Sequence, residues 1–270
     1  MSVELAAFGT LALRRDGPQG GVLHVTLNRP GQRNAMSLAM VRELRVVLAQ
    51  AEMKADTRVI VLRGAGGHFC AGADISDLAA ARSKLADNPR ALEETNAAFG
   101  ELCVAYAGTG IATVAVVEGT CMGGGFGLAC VADVALASPT ARFRLPETGL
   151  GVVPAQIAPF LVERLGYAEA KRLAVTGASL DAATALQLRL VHGVGEVDAL
   201  LAATLADILA CAPGAVAETK ALMARARWQP AAALVADAAA VFSRAALGPE
   251  GQEGTLAFLQ KRKPSWAPPA

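Results

Sequence analysis

Apolar residues recur along this chain with two different periods, and the change from one to the other divides it. Leu23, Val25 and Leu27 alternate with His24 and Thr26, the two-residue period of a half-buried strand, which Asn28-Arg29-Pro30-Gly31 then breaks. Ser37 can cap a helix that carries Met40, Val41, Leu44 and Leu48 at helical spacing. Arg58 to Arg63 encloses the continuous apolar run Val59 to Leu62, which predicts a strand buried on both faces, and a glycine-rich loop from Gly64 to Gly72 follows it. Leu92 to Ala107 predicts a helix, Ile111 to Val117 a second buried strand, and Gly123 to Cys130 a glycine-led helix start. Asp133 to Ser138 and Ala141 to Leu145 read as short strands. Strands alternating with helices over residues 20 to 145 imply β-α units, open or parallel sheets and right-handed crossovers. From Ala155 onward helical periodicity dominates, as at Leu201, Leu205 and Ile208 and at Leu234, Ala238 and Phe242, with punctuation at Gly166, Gly177, Pro213 and Pro230. No flexible linker sets this half apart, so residues 1–195 and 196–270 are expected to form a core and a helical region of one functional unit. No internal repeat has a fixed period.

Composition narrows the class. A chain of 270 residues can bury roughly 75% of its unfolded surface. More than half of it is hydrophobic while aromatics are only 4%, which suits alanine-rich helices packed on a sheet, hence α/β. The formal net charge is +1 and the basic residues are scattered, so the electrostatic footprint of nucleic-acid binding is missing. Met1 to Thr10 has no basic stretch leading into an apolar one, and no apolar run approaches the ~18 residues of a membrane span, so a soluble cytoplasmic protein is expected. Five cysteines (Cys70, Cys103, Cys121, Cys130 and Cys211), odd in number and without C-x-x-C, point to reduced packed thiols.

The glycines carry the chemistry. Gly123-Gly124-Gly125 continues to Phe126, Gly127 and Leu128, which is out of register for a dinucleotide turn, and no phosphate loop, nucleophile elbow or H-E-x-x-H occurs. His24, His68 and His192 lack metal-ligand spacing, so no metal is expected and structural roles are favoured for all three. Two glycine-rich strand-to-helix turns remain, Phe69 to Ile75 and Gly119 to Gly125, each following a buried strand. Together they could present unpaired N–H groups at one end of a sheet, where helix N-termini favour developing negative charge. Such donors can each be worth roughly 3 kcal/mol in a transition state. Arg144-Leu145-Pro146-Glu147 then places an acid just beyond a short apolar strand, and in apolar surroundings Glu147 becomes a proton carrier with a raised pKa.

Leu27 to Pro30 with Asn34-Ala35-Met36, Phe69 to Ile75, Gly119 to Gly125, and Pro146-Glu147 leading to Gly151-Val152-Val153-Pro154 together resemble the enoyl-CoA hydratase/isomerase (crotonase) superfamily over roughly residues 20 to 263. The resemblance implies a repeated ββα spiral core with a C-terminal helical region that forms a homotrimer, often a dimer of trimers. It implies oxyanion donors at Ala73 and Gly124, with Glu147 as acid/base. It places the nucleotide end of CoA near Arg29, Arg33, Ala71, Asp74 and Ile75, with Phe258 and Lys261 reaching a CoA across a subunit boundary; read without it, Lys261-Arg262-Lys263 is a solvated basic tail. CoA is part of the substrate, and no separate cofactor is implied. Members with two carboxylates have a glutamate where this chain has Gly127, a position expected to border substrate or water. Ala112 stands where a proline is usual, and Ala155-Gln156-Ile157-Ala158-Pro159 where many members have paired glycines. Gly127, the Ile-Ala-Pro-Phe stretch and the Lys-Arg-Lys-Pro-Ser-Trp ending resemble the 3-methylglutaconyl-CoA and isohexenylglutaconyl-CoA hydratase subgroup. The expected activity is therefore hydration of a 2-enoyl-CoA, a branched glutaconyl-type acyl group being favoured. The alternatives are a 3,2-enoyl-CoA isomerase, which needs one base, and a degenerate subunit that binds acyl-CoA without turnover.

Overall fold

The structure, a computed structural model, describes residues 8–54 and 56–268, so most of the N-terminal stretch from Met1 to Thr10, and residues 269 and 270 of the C-terminal region, lie outside the described residues. Its strands are β1 (Leu11–Asp16), β2 (Val22–Leu27), β3 (Val59–Gly64), β4 (Ala112–Val117), β5 (Thr120–Met122), β6 (Val134–Ala137), β7 (Arg142–Arg144), β8 (Ser179–Asp181) and β9 (Gly193–Val194). Six of them form a sheet in the order β1-β2-β3-β4-β6-β9, parallel throughout except for the antiparallel β1-β2 pair. β5, β7 and β8 form a second, smaller sheet. Parallel bridges between Cys70 and Cys121 and between Met36 and Ala73 extend that second layer toward the loops after β2 and β3.

The helices are α1 (Leu38–Lys54), α2 (Ile75–Ser83), α3 (Ala91–Gly108), α4 (Gly124–Val131), α5 (Ala158–Leu165), α6 (Tyr167–Thr176), α7 (Ala182–Gln187), α8 (Val197–Ala210), α9 (Pro213–Ala226), α10 (Ala231–Leu247) and α11 (Pro249–Leu259). Ser37 does cap α1, its Oγ accepting from the Met40 N–H at 3.2 Å. The apolar runs in β3 and β4 are continuous because both faces of the sheet are covered. Ile60, Leu62, Ala115 and Val117 enter the core shared with α1 and α3, while Val59, Val61, Val114 and Val116 pack with Val197, Leu201 and Leu209 of α8.

One reading changes. The region after Ala155 is not purely helical, since β8 joins the second sheet and β9 closes the edge of the first. At three and two residues these strands are too short to show a period. α8 covers the main sheet, Val216 of α9 packs against the same cluster, and α10 and α11 follow. There the stripe Leu234, Ala238, Phe242 is only partly covered: Leu234 is buried, whereas Phe242 is 75% exposed.

Candidate active site

The two glycine turns meet. The N–H groups of Phe69 and Cys70 donate to the carbonyls of Glu118 and Thr120 (2.8 and 3.0 Å), and that of Met122 donates back to Cys70 (2.9 Å). On the other side Met36 N–H donates to the Gly72 carbonyl and Asp74 N–H to that of Met36 (2.7 and 3.0 Å). This lacing uses the N–H of Asp74 and passes over that of Ala73. Gly72 (φ +95°) and Gly123 (φ +48°) hold backbone conformations that L side chains rarely adopt, and they touch: a Cβ on Gly123 would lie 3.6 Å from Gly72 Cα. Ala73 and Gly124 come immediately after them. Among the described residues neither of these two N–H groups has a hydrogen-bond acceptor. Gly124 opens α4, so its N–H is one of the unpaired donors at the positive end of a helix. The third glycine of the run, Gly125, seats α4 against the first turn, since a Cβ there would lie 2.7 Å from both Cβ and the carbonyl oxygen of Cys70.

Glu147 reaches the same point from the end of β7. A Cβ on Gly123 would lie 2.9 Å from its Oε1. Its Oε2 is buried without a hydrogen-bond partner among the described residues. Burial pushes the carboxyl above the ordinary glutamate range, and a hydrogen bond to backbone offsets only part of that.

Ala73, Gly124 and Glu147 all line one cavity of about 510 Å³. Met36 before α1, Leu38 and Val41 in its first turn, Leu78 of α2, Leu92 and Phe99 of α3, and the segment from Gly151 to Ile157 complete its largely apolar wall. No Lys, Arg or His is among its lining residues. The polar side chains there include Asp77, whose Oδ2 accepts from the Leu38 N–H at 2.6 Å, and a carboxamide pair in which Gln156 Nε2 donates to Asn96 Oδ1 at 2.6 Å. Sequence reasoning missed Asn96, Phe99 and Asp77. The available sign was the face of α3 that carries Leu92, Thr95, Asn96 and Phe99 at helical spacing, with one amide inside it.

Gly127 departs from its expected place. It is buried in α4 and does not line the cavity; a Cβ on it would overlap Ile157 Cγ2 and lie 3.1 Å from Ile157 Cβ. Ile157 is itself only 2% exposed, so a branched side chain fills the space that had been ascribed to substrate or water. Ile157 belongs to the stretch from Ala155 to Pro159 that replaces paired glycines, so the two departures are one packing arrangement.

The residues expected to meet the nucleotide are partly spoken for. Arg29 pairs with Asp74 (Nη2 to Oδ2, 2.7 Å) and donates to the Ala35 carbonyl (2.5 Å). Burial raises the Asp74 carboxyl, but hydrogen bonds from Ser76 and Arg29 outweigh it and hold the group below the usual carboxylate range. Ala71 N–H donates to the Arg33 carbonyl at 3.0 Å, while the Arg33 guanidinium and Ile75 are exposed at the surface beside them. Phe258 and Lys261, exposed at the end of α11, are not brought to this cavity within the chain. No cluster among the described residues could hold a metal. Each histidine has a structural partner: His24 meets Asp16, His68 Nδ1 accepts from the Thr120 N–H, and His192 Nδ1 accepts from the Ala135 N–H. Cys70, below the site, is fully buried and its thiol is pushed up to about 12, which removes it as a nucleophile. No single helix among the described residues is long and apolar enough to cross a membrane.

Comparison with known proteins agrees with this geometry. The sequence profile of the enoyl-CoA hydratase/isomerase family matches residues 17–269. An enoyl-CoA hydratase/isomerase from Marinobacter aquaeolei superposes with a TM-score of 0.92 at 49% identity, covering 96% of this chain and 99% of that one. Pseudomonas aeruginosa AtuE superposes with a TM-score of 0.90 at 52% identity, covering 96% of this chain and 100% of that one. Mevalonyl-coenzyme A hydratase sidH of Aspergillus fumigatus is 32% identical over 260 residues, 93% of each chain.

Proposed function

The chain is an enzyme of the enoyl-CoA hydratase/isomerase family, the crotonase superfamily, and on that premise we propose that it adds water across the double bond of a 2-enoyl-CoA. The observation that carries this reading is the convergence of two acceptor-free N–H groups and one desolvated carboxylate on a single apolar cavity. Ala73 and Gly124 donate to the thioester oxygen, where negative charge develops as a nucleophile adds to C3. Glu147, as the carboxylate, takes a proton from the water that forms the C3–O bond. It then returns that proton to C2 as the enolate collapses, so one water is added and the carboxylate is regenerated. One group acts in turn as base and acid because Ile157 fills the place of a second. The raised affinity of Glu147 for its proton suits both halves of the cycle.

The favoured acyl group is branched and of glutaconyl type. The nucleotide lies by Arg33, Ile75 and the backbone of Ala71, with Arg29 and Asp74 holding those two loops together. Phe258 and Lys261 reach the CoA of a neighbouring copy in a homotrimer or a dimer of trimers, and the enzyme works in the cytoplasm. The filled space at Gly127 supports a second reading, 3,2-enoyl-CoA isomerisation, in which Glu147 alone carries a proton between the α- and γ-carbons. Incubating the protein with 3-methylglutaconyl-CoA, crotonyl-CoA and a 3-enoyl-CoA in labelled water separates the two. Oxygen incorporation supports hydration, migration of the double bond without it supports isomerisation, and silence on all three removes both.

A further inference from the structure

We propose that Asn96 and Gln156 form a carboxamide clamp that recognises an oxygen substituent, hydroxyl or carboxylate, on the acyl group lying against Glu147. The proposal deepens the reading of this cavity as an acyl-CoA site and rests on it. The Gln156 amide lies on α3 where Gly100 leaves the helix bare: a Cβ there would overlap its Oε1 and come within 2.7 Å of its Cδ. From that seat Nε2 donates to Asn96 Oδ1 at 2.6 Å. Among the described residues the Asn96 NH₂ has no acceptor and Gln156 Oε1 has no donor. With Gln156 Oε1 seated on Gly100, the groups left free at a cavity wall otherwise made by Leu92, Phe99, Val152 and Val153 are the Asn96 NH₂ and the second Nε2 hydrogen of Gln156. The pair stays within reach of solvent, so an acyl oxygen takes over hydrogen bonds from water there, whereas a plain hydrocarbon displaces that water and offers no partner.

The electrostatics fix the kind of recognition. Asp74, Asp77 and Glu147 line the cavity and no cation does. An acyl oxygen there is held by neutral hydrogen bonds and not by an ion pair. Amide N–H groups donate to a hydroxyl or to a carboxylate.

Calorimetric binding of three saturated thioesters tests the clamp independently of turnover: isovaleryl-CoA, 3-methylglutaryl-CoA and 5-hydroxy-3-methylpentanoyl-CoA. The wild-type protein is expected to bind at least one oxygen-bearing thioester about tenfold or more tighter than isovaleryl-CoA, the size of one well-made hydrogen bond. The tighter of the two identifies carboxylate or hydroxyl. Gln156→Met and Asn96→Leu should abolish the preference while isovaleryl-CoA binds as before or better. Gly100→Ala, which keeps both amides but unseats Gln156, should do the same. Equal wild-type affinity for all three, or a preference that survives Gln156→Met, overturns the clamp. If the preference is present but no enoyl-CoA is turned over, the hydratase reading falls and the clamp stands; if no acyl-CoA binds, both fall.

Discussion

At the scale of single residues, Glu147 is placed between two demands. Water would stabilise its charged form, and the apolar cavity withholds water from one of its oxygens. A base must be ionised, so kcat/KM should fall on the acid side at a pH above the ordinary glutamate range, and Glu147→Gln should remove that limb together with at least about a hundredfold of turnover, leaving acyl-CoA affinity little changed. The same shift has a thermodynamic sign. The folded state holds this proton more tightly than the unfolded one, so stability is lost as pH rises from the unfolded pKa through the higher folded one. Thermal melts at neutral pH should therefore find the Gln variant at least as stable as wild type. Gly127 behaves differently. Gly127→Glu alone should destabilise by about 1–3 kcal/mol or more and give no gain in hydration, because the new side chain meets Ile157 and not solvent. Adding Ile157→Ala should relieve the strain, and denaturant melts of the four combinations would show it as a favourable coupling; simple additivity would mean that the two side chains do not compete. Glu147, Ala73 and Gly124 were legible in the sequence because each lies within a short local string. Ile157, Asn96 and Gln156 were not, because their meaning comes from contacts between residues 30 to 60 positions apart, and no local period records such contacts.

Among elements, the site depends on how three loops are tied to one another. Besides the backbone lacing, Asn34, fully buried at φ +57°, ties the loops after β2 and β3: its Oδ1 accepts from the Arg29 N–H at 2.9 Å, and its Nδ2 donates to the carbonyls of Ala65 and His68 at 2.9 and 2.7 Å. Asn34→Ala would strand three backbone groups away from water and leave a side chain with no local hydrogen bond in a left-handed conformation. A loss of about 3 kcal/mol or more is expected by chemical denaturation, together with a drop in turnover as the turn before Ala73 loosens. An unchanged melting curve would show that the Gly64 to Gly72 loop is held by other contacts. The strands feeding these loops, β2, β3 and β4, announced themselves through alternation or unbroken apolar runs. Of the second sheet only β7 did, within the short strand read at Ala141 to Leu145; β5, β8 and the single bridges are too short to show a period and are strands only by virtue of their neighbours.

Across the whole molecule, exposed apolar side chains recur on and around α10 and α11, among them Trp228, Val235, Phe242, Leu247, Phe258 and Leu259. A face of this kind is what a subunit boundary covers, in line with the proposed trimer, in which Lys261 would lie next to another copy's CoA. Lys261→Ala should raise KM most at low ionic strength, where phosphate contacts are least screened. Mixed assemblies refolded from Lys261→Ala and Glu147→Gln chains should recover low-KM turnover that neither parent has, since some sites then combine an intact Glu147 with a neighbour's intact lysine. No recovery would confine Lys261 to its own subunit or to the solvated tail. The packing of Gly127 against Ile157 also bears on the chain's history. A glutamate arriving first at 127 would collide with Ile157, and a small residue arriving first at 157 would leave a void in the core. Either order passes through a less stable protein, so a lineage holding this pair meets a barrier on the way to two acids, and selection on stability alone can keep a one-carboxylate catalyst from gaining a second.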